Sequence, residues 1–322
     1  MNTRYAKGGL CHLGNLSVNC CTATKILRVW GYFRLLAATP SHHFGNVSVS
    51  FPMPRLCANL SLLFADLPFV DRFAAAAYAG FRAVECQFPY AVPAMELAQV
   101  LRTQDLRLEL INLPAGNWEG GERGIAVLPD RVEEFRAGVG QALDYALALG
   151  VPRINCLAGI VPATLSAQEV TDTLVGNLRH AASRLAQHGL ELLVEPINSF
   201  DIPGFGVSRL EQALELLGQV GADNVRVQYD LYHATRMGDD VPAMLRQHLS
   251  RIGHIQIADV PGRHEPGTGS MAYRELFALL DALGYSGQVG CEYLPLSAEA
   301  AGTQAGLAWI AAHGLSLQGD GA

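Results

Sequence analysis

"RINCLAGIVPATLSAQEVTDTLVGNLRHAASRLAQHGLELLVEPIN", residues 153–198, holds two short apolar runs on either side of a long stretch with apolar residues at helical spacing. RINCLAG and LELLVEPIN, each bounded by polar or glycine turns, read as strands. AQEVTDTLVGNLRHAASRLAQHG between them reads as an amphipathic helix. A strand, a helix and a second strand in that order imply a crossover connection, and a crossover makes the two strands parallel.

The unit recurs along the chain. From Arg55 the other strand candidates are RLCANLSL, AVECQFP, RLELINLP, VRVQYDLYH, HIQIADV and QVGCEYLP. The other helical stretches are FVDRFAAAAYAG, PAMELAQVLRTQ, RVEEFRAGVGQALDYALALG, SRLEQALELLGQVG, VPAMLRQHLSRI and AYRELFALLDALG, with SAEAAGTQAGLAWIAAHG after the last strand. Eight strand–helix pairs predict an α/β protein built as one closed (β/α)8 TIM barrel, a fold of typically about 250 residues. An open doubly wound sheet would bind nucleotide through a glycine-rich first turn. ANLSLLFADLPF, where that turn would lie, has no GxGxxG.

The 322 residues are 50% hydrophobic and 16% charged, ample for a large core. No apolar run approaches the roughly 18 residues of a membrane span. The formal charge of −7 understates the acidity of the body, because Arg4, Lys7, Lys25, Arg28 and Arg34 fall in the first 52 residues, where there is no Asp or Glu. An acidic body argues against a nucleic-acid partner, whose phosphates call for a basic footprint. The seven cysteines form no CxxC or Cys/His spacing, which excludes a thiol metal site and a disulfide framework and fits a reducing, cytoplasmic setting. A homo-oligomer stays open.

Residues 1–52 show no sustained period of 2 or 3.6. Their basic, acid-free composition allows an organelle transit peptide, but nothing marks a cleavage site. We therefore expect a non-core extension, disordered or added by a spurious upstream start, ahead of a barrel spanning residues 53–322.

Catalytic groups of such barrels sit where the strands end, at the C-terminal rim. Glu195 closes the fifth strand, directly before a proline. A lone ionised carboxylate is costly there unless something pairs with it. Asp230, Gln256 and Glu292 hold the matching position on strands six, seven and eight, spaced by about one βα unit of roughly 30 residues. Four oxygen donors from adjacent strands thus converge, and three are carboxylates that repel one another unless a cation neutralises them. An oxygen-only set suits Mg²⁺ or Mn²⁺ better than Zn²⁺.

These residues lie in a wider pattern. EPINSFDIPGF, QYDLYHATRM, IQIADVPGRHEPGTG and GCEYLP, with ANLSLLF and NLPAGNWEGGERG upstream, closely resemble the hydroxypyruvate isomerase family, which belongs to the xylose-isomerase-like barrels and includes the 2-oxotetronate isomerases. The resemblance runs from about Met53 to about Ile310. It implies a divalent metal and two glutamates, Glu195 and Glu292, as proton donor and acceptor. By likeness to the wider group of sugar epimerases and isomerases, Asp230 and Gln256 complete the metal site, and Asp201, His233 and Arg263 contact substrate. Two departures stand out: epimerases usually carry His where Gln256 stands, and relatives commonly carry Gln where Thr235 stands.

Isomerising a small hydroxy-oxo acid moves a proton between adjacent carbons through an enediolate, and a carboxylate beside each carbon can take or return it. The substrate's own carboxylate needs a cationic clamp. Arg263 and Arg123 are the candidates, although Arg123 reads more readily as a brace for its loop, paired with Glu119 or Glu122. Glu85 reads as a rim residue that orients a neighbour, and Trp118 as a cover for the pocket. Two rivals remain on the same fold. A metal-dependent nuclease would need many histidines, and strands two and three contain none; a regulatory barrel that only binds a sugar acid would not need paired glutamates.

Overall fold

The computed structural model describes residues 54–299 and 301–317. The expected extension 1–52 and the start of the barrel at Met53 lie outside the described residues.

Nine parallel strand segments make the sheet: β1 (Arg55–Asn59), β2 (Ala83–Glu85), β3 (Arg107–Leu108), β4 (Leu110–Asn112), β5 (Arg153–Cys156), β6 (Glu191–Val194), β7 (Val225–Asp230), β8 (Ile252–Ile257) and β9 (Gln288–Cys291). Their order is β3-β2-β1-β9-β8-β7-β6-β5-β4. The outer members are two halves of one stave. Arg107 and Leu108 pair with β2, while Leu110–Asn112 pairs with β5. Across the break, Glu109 N–H donates to Val84 O at 2.9 Å and Asn112 N–H to Gln87 O at 2.9 Å. Bonds therefore pass all the way round, and the (β/α)8 barrel is closed. The eight expected strands are the eight staves, the third divided at Glu109.

Helices wrap the outside because each has one apolar stripe. In the helix Leu210–Val220, Leu210, Ala213, Leu216, Leu217 and Val220 are buried, the i, i+3, i+7 pattern of a single face. The helix Ala167–Ala186 opens with a capping box in which Ser166 Oγ and the Glu169 carboxylate satisfy each other's backbone N–H groups. Strands sandwiched between barrel interior and helices are buried on both faces, and every residue of β9 is buried. Each fully buried Leu, Ile or Val there contributes about 1.5–3 kcal/mol.

Two segments differ from the expected pattern. VRVQYDLYH does not remain extended to His233: the Asp230 carboxylate accepts from Tyr232 N–H at 2.8 Å and starts a short helix, Leu231–Arg236. The final helical stretch is two short helices, Gly302–Gly306 and Ala308–Ala312. Glycine at both ends of the first weakens continuous helix there. No helix among the described residues is long and apolar enough to cross a membrane.

Candidate active site

Parallel staves bring their C-terminal ends to one rim, and the inward-facing side chains there are polar and buried: Asn59, Glu85, Asn112, Asn155, Glu195, Gln228, Asp230, His254, Gln256 and Glu292. Local sequence sets the ends. Pro196 confines Glu195 to extended backbone and ends β6 just before it. Asp230 is at once the last residue of β7 and the cap of the following helix. Glu292 follows β9 and stays tied to β8 through its N–H to Ile257 O.

Three buried carboxylates, Glu195, Asp230 and Glu292, stand at this rim with one arginine between them. Glu195 accepts from Asn155 Nδ2 at 2.9 Å. One oxygen of Asp230 accepts from Tyr232 N–H, whereas Oδ2 is buried without a hydrogen-bond partner. Glu292 accepts from Asn59 Nδ2 (3.2 Å), Gln87 Nε2 (3.3 Å), Arg263 Nη2 (3.0 Å) and Gln256 Nε2. Burial, and then the negative charge of Asp230, hold the Glu195 carboxyl above its ordinary range. Asp230 is raised mainly by burial, and Glu292 by burial and then by Glu195. Among the described residues, Arg263 is the only Arg or Lys with a charged nitrogen within 4.0 Å of the three, at 3.0 Å from Glu292 and 3.7 Å from Asp230. One guanidinium does not neutralise three carboxylates. The unpartnered Asp230 oxygen and the charge deficit together fit a bound cation. The ligand atoms of Glu195, Asp230 and His233 all lie within 4.8 Å of one another, a grouping that can hold a metal ion; Glu292, expected from sequence as a ligand, is not in that grouping and His233 stands in it instead.

His233 has a defined tautomer. Asn198 Oδ1 accepts from the backbone N–H groups of Phe200 (3.0 Å) and Asp201 (2.8 Å), so its Nδ2 faces outward and donates to Asp201 Oδ2 (2.9 Å) and His233 Nδ1 (2.6 Å). Burial, then the charges of Arg263 and Arg236, hold the imidazole well below its ordinary pKa and keep it neutral. The Asn198 contact therefore puts the remaining proton on Nε2, 3.6 Å from Asp230 Oδ2 and 3.9 Å from Glu195 Oε1; Arg263 Nη2, 3.3 Å from the same nitrogen, can only donate and makes no hydrogen bond to it in this tautomer. In this state His233 offers an N–H rather than a lone pair, which leaves the two carboxylates as the better metal holders of the three.

Gln256 joins the cluster in an orientation its spacing does not reveal. Its Nε2 donates to Glu292 and to Glu85 (2.7 Å), while its oxygen accepts from Gln228 at 2.6 Å. Arg263 is held in a left-handed backbone conformation, φ 57°, with its N–H on Asp259 O and its C=O accepting from Leu294 N–H. Asp201 accepts from Tyr232 OH at 3.0 Å.

All of this opens into a cavity of about 380 Å³ lined by Gln87, Asn112, Trp118, Arg123, Glu195, Asp201, His233, Arg263 and Glu292, among others. Glu195, Glu292, Asp201, His233 and Arg263 thus share one chamber. Asp230 and Gln256 lie beneath its wall, bonded as described.

Several participants were not singled out from sequence. Asn59, Asn112, Asn155, Gln228 and His254 are polar residues at inward positions of otherwise apolar strands, and that misfit is the signal that could have found them. Glu85, expected to orient a neighbour, accepts from Asn59 Nδ2 (2.9 Å), Gln256 Nε2 and His254 Nε2 (2.6 Å). Gly290 makes room for it: a Cβ there would stand 2.5 Å from both Glu85 carboxylate oxygens. Arg123 does not pair with Glu119 or Glu122. It donates to the carbonyls of Trp118 (3.0 Å) and Glu122 (2.8 Å), and the Glu122 carboxylate goes to Arg131 instead.

Residues 73–313 match the family described as xylose isomerase-like TIM barrel. The chain is 49% identical over 258 residues to the hydroxypyruvate isomerase of Escherichia coli K12, an overlap of 80% of this chain and 98% of that protein. It is 45% identical over 258 residues to the 2-oxo-tetronate isomerase of Cupriavidus necator, with the same two coverages. Among solved structures, one from Brucella melitensis described as an AP endonuclease of family 2 superposes with a TM-score of 0.78 at 43% identity, covering 81% of this chain and 99% of that one.

Proposed function

Because the chain belongs to the hydroxypyruvate isomerase family of xylose isomerase-like TIM barrels and is an isomerase, we propose that it interconverts hydroxypyruvate and tartronate semialdehyde. The observation that carries this reading is the pair Glu195 and Glu292. They are two buried carboxylates from separate staves, both lining one cavity. Carboxylates so placed can stand beside adjacent carbons of one substrate and take or return a proton.

One glutamate takes the proton from the hydroxyl-bearing carbon and the other returns a proton to the neighbouring carbon. The direction of turnover decides which acts first. Glu195, Asp230 and Glu292 would hold a divalent cation, Mg²⁺ or Mn²⁺, and Gln256 would join them on releasing its oxygen from Gln228. When bound, that ion supplies Lewis-acid stabilisation of charge developing at the carbonyl oxygen. His233 donates its Nε2 proton to a substrate oxygen, and its neutrality suits it to stabilise an oxyanion without surrendering the proton early. Arg263 keeps Glu292 oriented and, with Asp201, borders the substrate. The buried free thiols Cys57, Cys86, Cys156 and Cys291 fit a reducing, cytoplasmic setting.

The second reading, a 2-oxotetronate isomerase, is favoured by the 45% identity to such an enzyme and by a cavity with room for a fourth carbon. A nuclease is disfavoured by the donor set, since the close grouping of potential ligands found among the described residues, Glu195, Asp230 and His233, holds a single histidine.

The test gives both acids to one protein preparation, stripped with chelator and then reloaded with Mg²⁺ or Mn²⁺. We expect turnover to vanish and return, with the better substrate settling chain length. Full turnover in protein shown metal-free by elemental analysis would remove the cation from the scheme, and failure on both acids would reject the reading.

A further inference from the structure

Arg123 is the charged group of the cavity wall to which the scheme above assigns no task. Its position is built rather than incidental. The loop that carries it is closed by Gly124 N–H donating to Ala115 O at 3.1 Å and by Glu122 N–H donating to Asn117 O at 3.1 Å. Gly124 and Gly159 pack backbone to backbone, so that a Cβ on Gly124 would stand 2.3 Å from Leu157 O; only glycine permits that approach, at φ +116°. The guanidinium carbon lies 4.3 Å from the centre of the Trp118 ring, and that ring packs on Phe88 with centroids 5.0 Å apart. Nη1 spends its donors on the Trp118 and Glu122 carbonyls. Among the described residues, Nε and Nη2 have no protein acceptor, and Arg123 has no carboxylate partner although Glu119 and Glu122 are close in sequence.

Arg263 stands in contrast. Its Nη2 already serves Glu292 at 3.0 Å and stands 3.7 Å from Asp230, and its Nε is buried without a hydrogen-bond partner. Of the two arginines on the cavity wall, Arg123 is the one with no carboxylate beside it among the described residues, and it keeps Nε and Nη2, an adjacent planar pair of the kind a carboxylate accepts.

We propose that Arg123, stacked on Trp118, is the residue that grips the substrate's carboxylate and thereby restricts this site to hydroxy-oxo acids rather than neutral sugars. Arg263 serves the protein's own carboxylates instead. The proposal rests on the isomerase reading of the site and adds the selection of the acid group. In an otherwise carboxylate-rich chamber, one pre-oriented and unpaired cation attracts an anionic end group and holds the neighbouring carbons in a fixed register between Glu195 and Glu292.

Dihydroxyacetone has the hydroxypyruvate skeleton with CH₂OH in place of the carboxylate, and its conversion to glyceraldehyde needs the same proton transfer. Replacing Arg123 by Met should lower the ratio of kcat/KM for hydroxypyruvate to kcat/KM for dihydroxyacetone by about 10- to 100-fold, chiefly through KM for the acid, as expected when a charged hydrogen-bond partner is removed. Arg123→Lys, which keeps the charge but loses the fork, should fall between. An unchanged ratio would overturn the proposal, and where both compounds lose equally Arg123 only braces its loop. Calorimetric titration of the Mn²⁺-loaded protein with glycerate, an unreactive acid of the same length, gives an answer that does not depend on turnover. Binding by the original protein that weakens at least about 10-fold in the Met variant supports the clamp. Equal affinity in the two proteins, or no binding by the original, overturns it. Failure of turnover with intact, Arg123-dependent glycerate binding would instead count against the isomerase reading alone.

Discussion

Glu85 and Glu195 are both glutamates at the C-terminal end of the barrel, both buried, yet their surroundings treat them in opposite ways. Glu85 accepts three side-chain hydrogen bonds, one from His254, and although burial alone would raise its pKa, His254 and these bonds hold it below the ordinary value. Glu195 has Asn155 close by but shares its space with Asp230, and its pKa is pushed up. A buried carboxylate is quiet when neutral donors and a histidine surround it, and reactive when other acids stand beside it. The same contrast separates the part of the polar core that fixes geometry from the part to which we assign binding and proton transfer.

The largest expected effect tests the reactive side. Glu292→Gln keeps the size and one oxygen but removes the base, so turnover should fall by at least the roughly 10²-fold typical of a lost general base, and Glu195→Gln should do the same. On the proposed scheme the two act in one sequence of steps, so the double variant should lose much less than the product of the single losses. Near-normal single-variant turnover with stoichiometric metal would move both residues to the quiet side.

Stability should show the reverse. Glu85→Ala leaves the His254, Asn59 and Gln256 donors facing an emptied site, at a cost of about 3–5 kcal/mol, or a drop in Tm of about 10 °C in a domain of this size. Glu195→Gln, measured without metal, removes a group that the fold forces to take up a proton, and should leave Tm unchanged or higher. Equal losses from the two substitutions would erase the distinction.

The pH dependence of the metal-free protein carries the same sign. A folded pKa held above the unfolded one means that the native state binds the proton more tightly, so the Glu195 contribution declines as pH rises from the ordinary carboxylate range to about 8 and is level above it. For Glu85, with its lowered pKa, stability is present above the ordinary range and is lost as pH falls through the folded value. Melts of Glu195→Gln and Glu85→Ala across pH should flatten these two slopes separately. A slope that survives its own substitution would assign it to another group.

The smallest effect concerns neither region. We propose that residues 1–52 are not part of the barrel, so protein beginning at Met53 should match the full chain in Tm to within about 1 °C and in turnover. A large loss of Tm would assign them a packing role.

Much of the reactive side was legible before any coordinates. Glu195, Asp230 and Glu292 could be found because strand periodicity locates strand ends, and a barrel rim is where such ends gather. Gln256 was found by the same rule. The rule cannot tell that its nitrogen, rather than its oxygen, faces Glu292, because that depends on Gln228 from the neighbouring stave. The quiet side was mostly hidden. The bond between His254 and Glu85 joins residues 169 positions apart. The tautomer of His233 depends on two loop N–H groups acting through Asn198.

The chain order of apolar runs, helical stretches and turns thus determined by itself that the sheet is parallel, that it has eight staves, and which acids stand at their ends. These are consequences of local periodicity and of the crossover that parallel strands require. Only the tertiary structure decided which of those acids are satisfied and which are left to repel, which nitrogen of His233 carries the proton, and that Arg263 is committed to Glu292 while Arg123 keeps free donors. Hydrogen bonds and charge interactions act over a few ångströms between residues far apart in the chain, and their balance is set when the barrel closes.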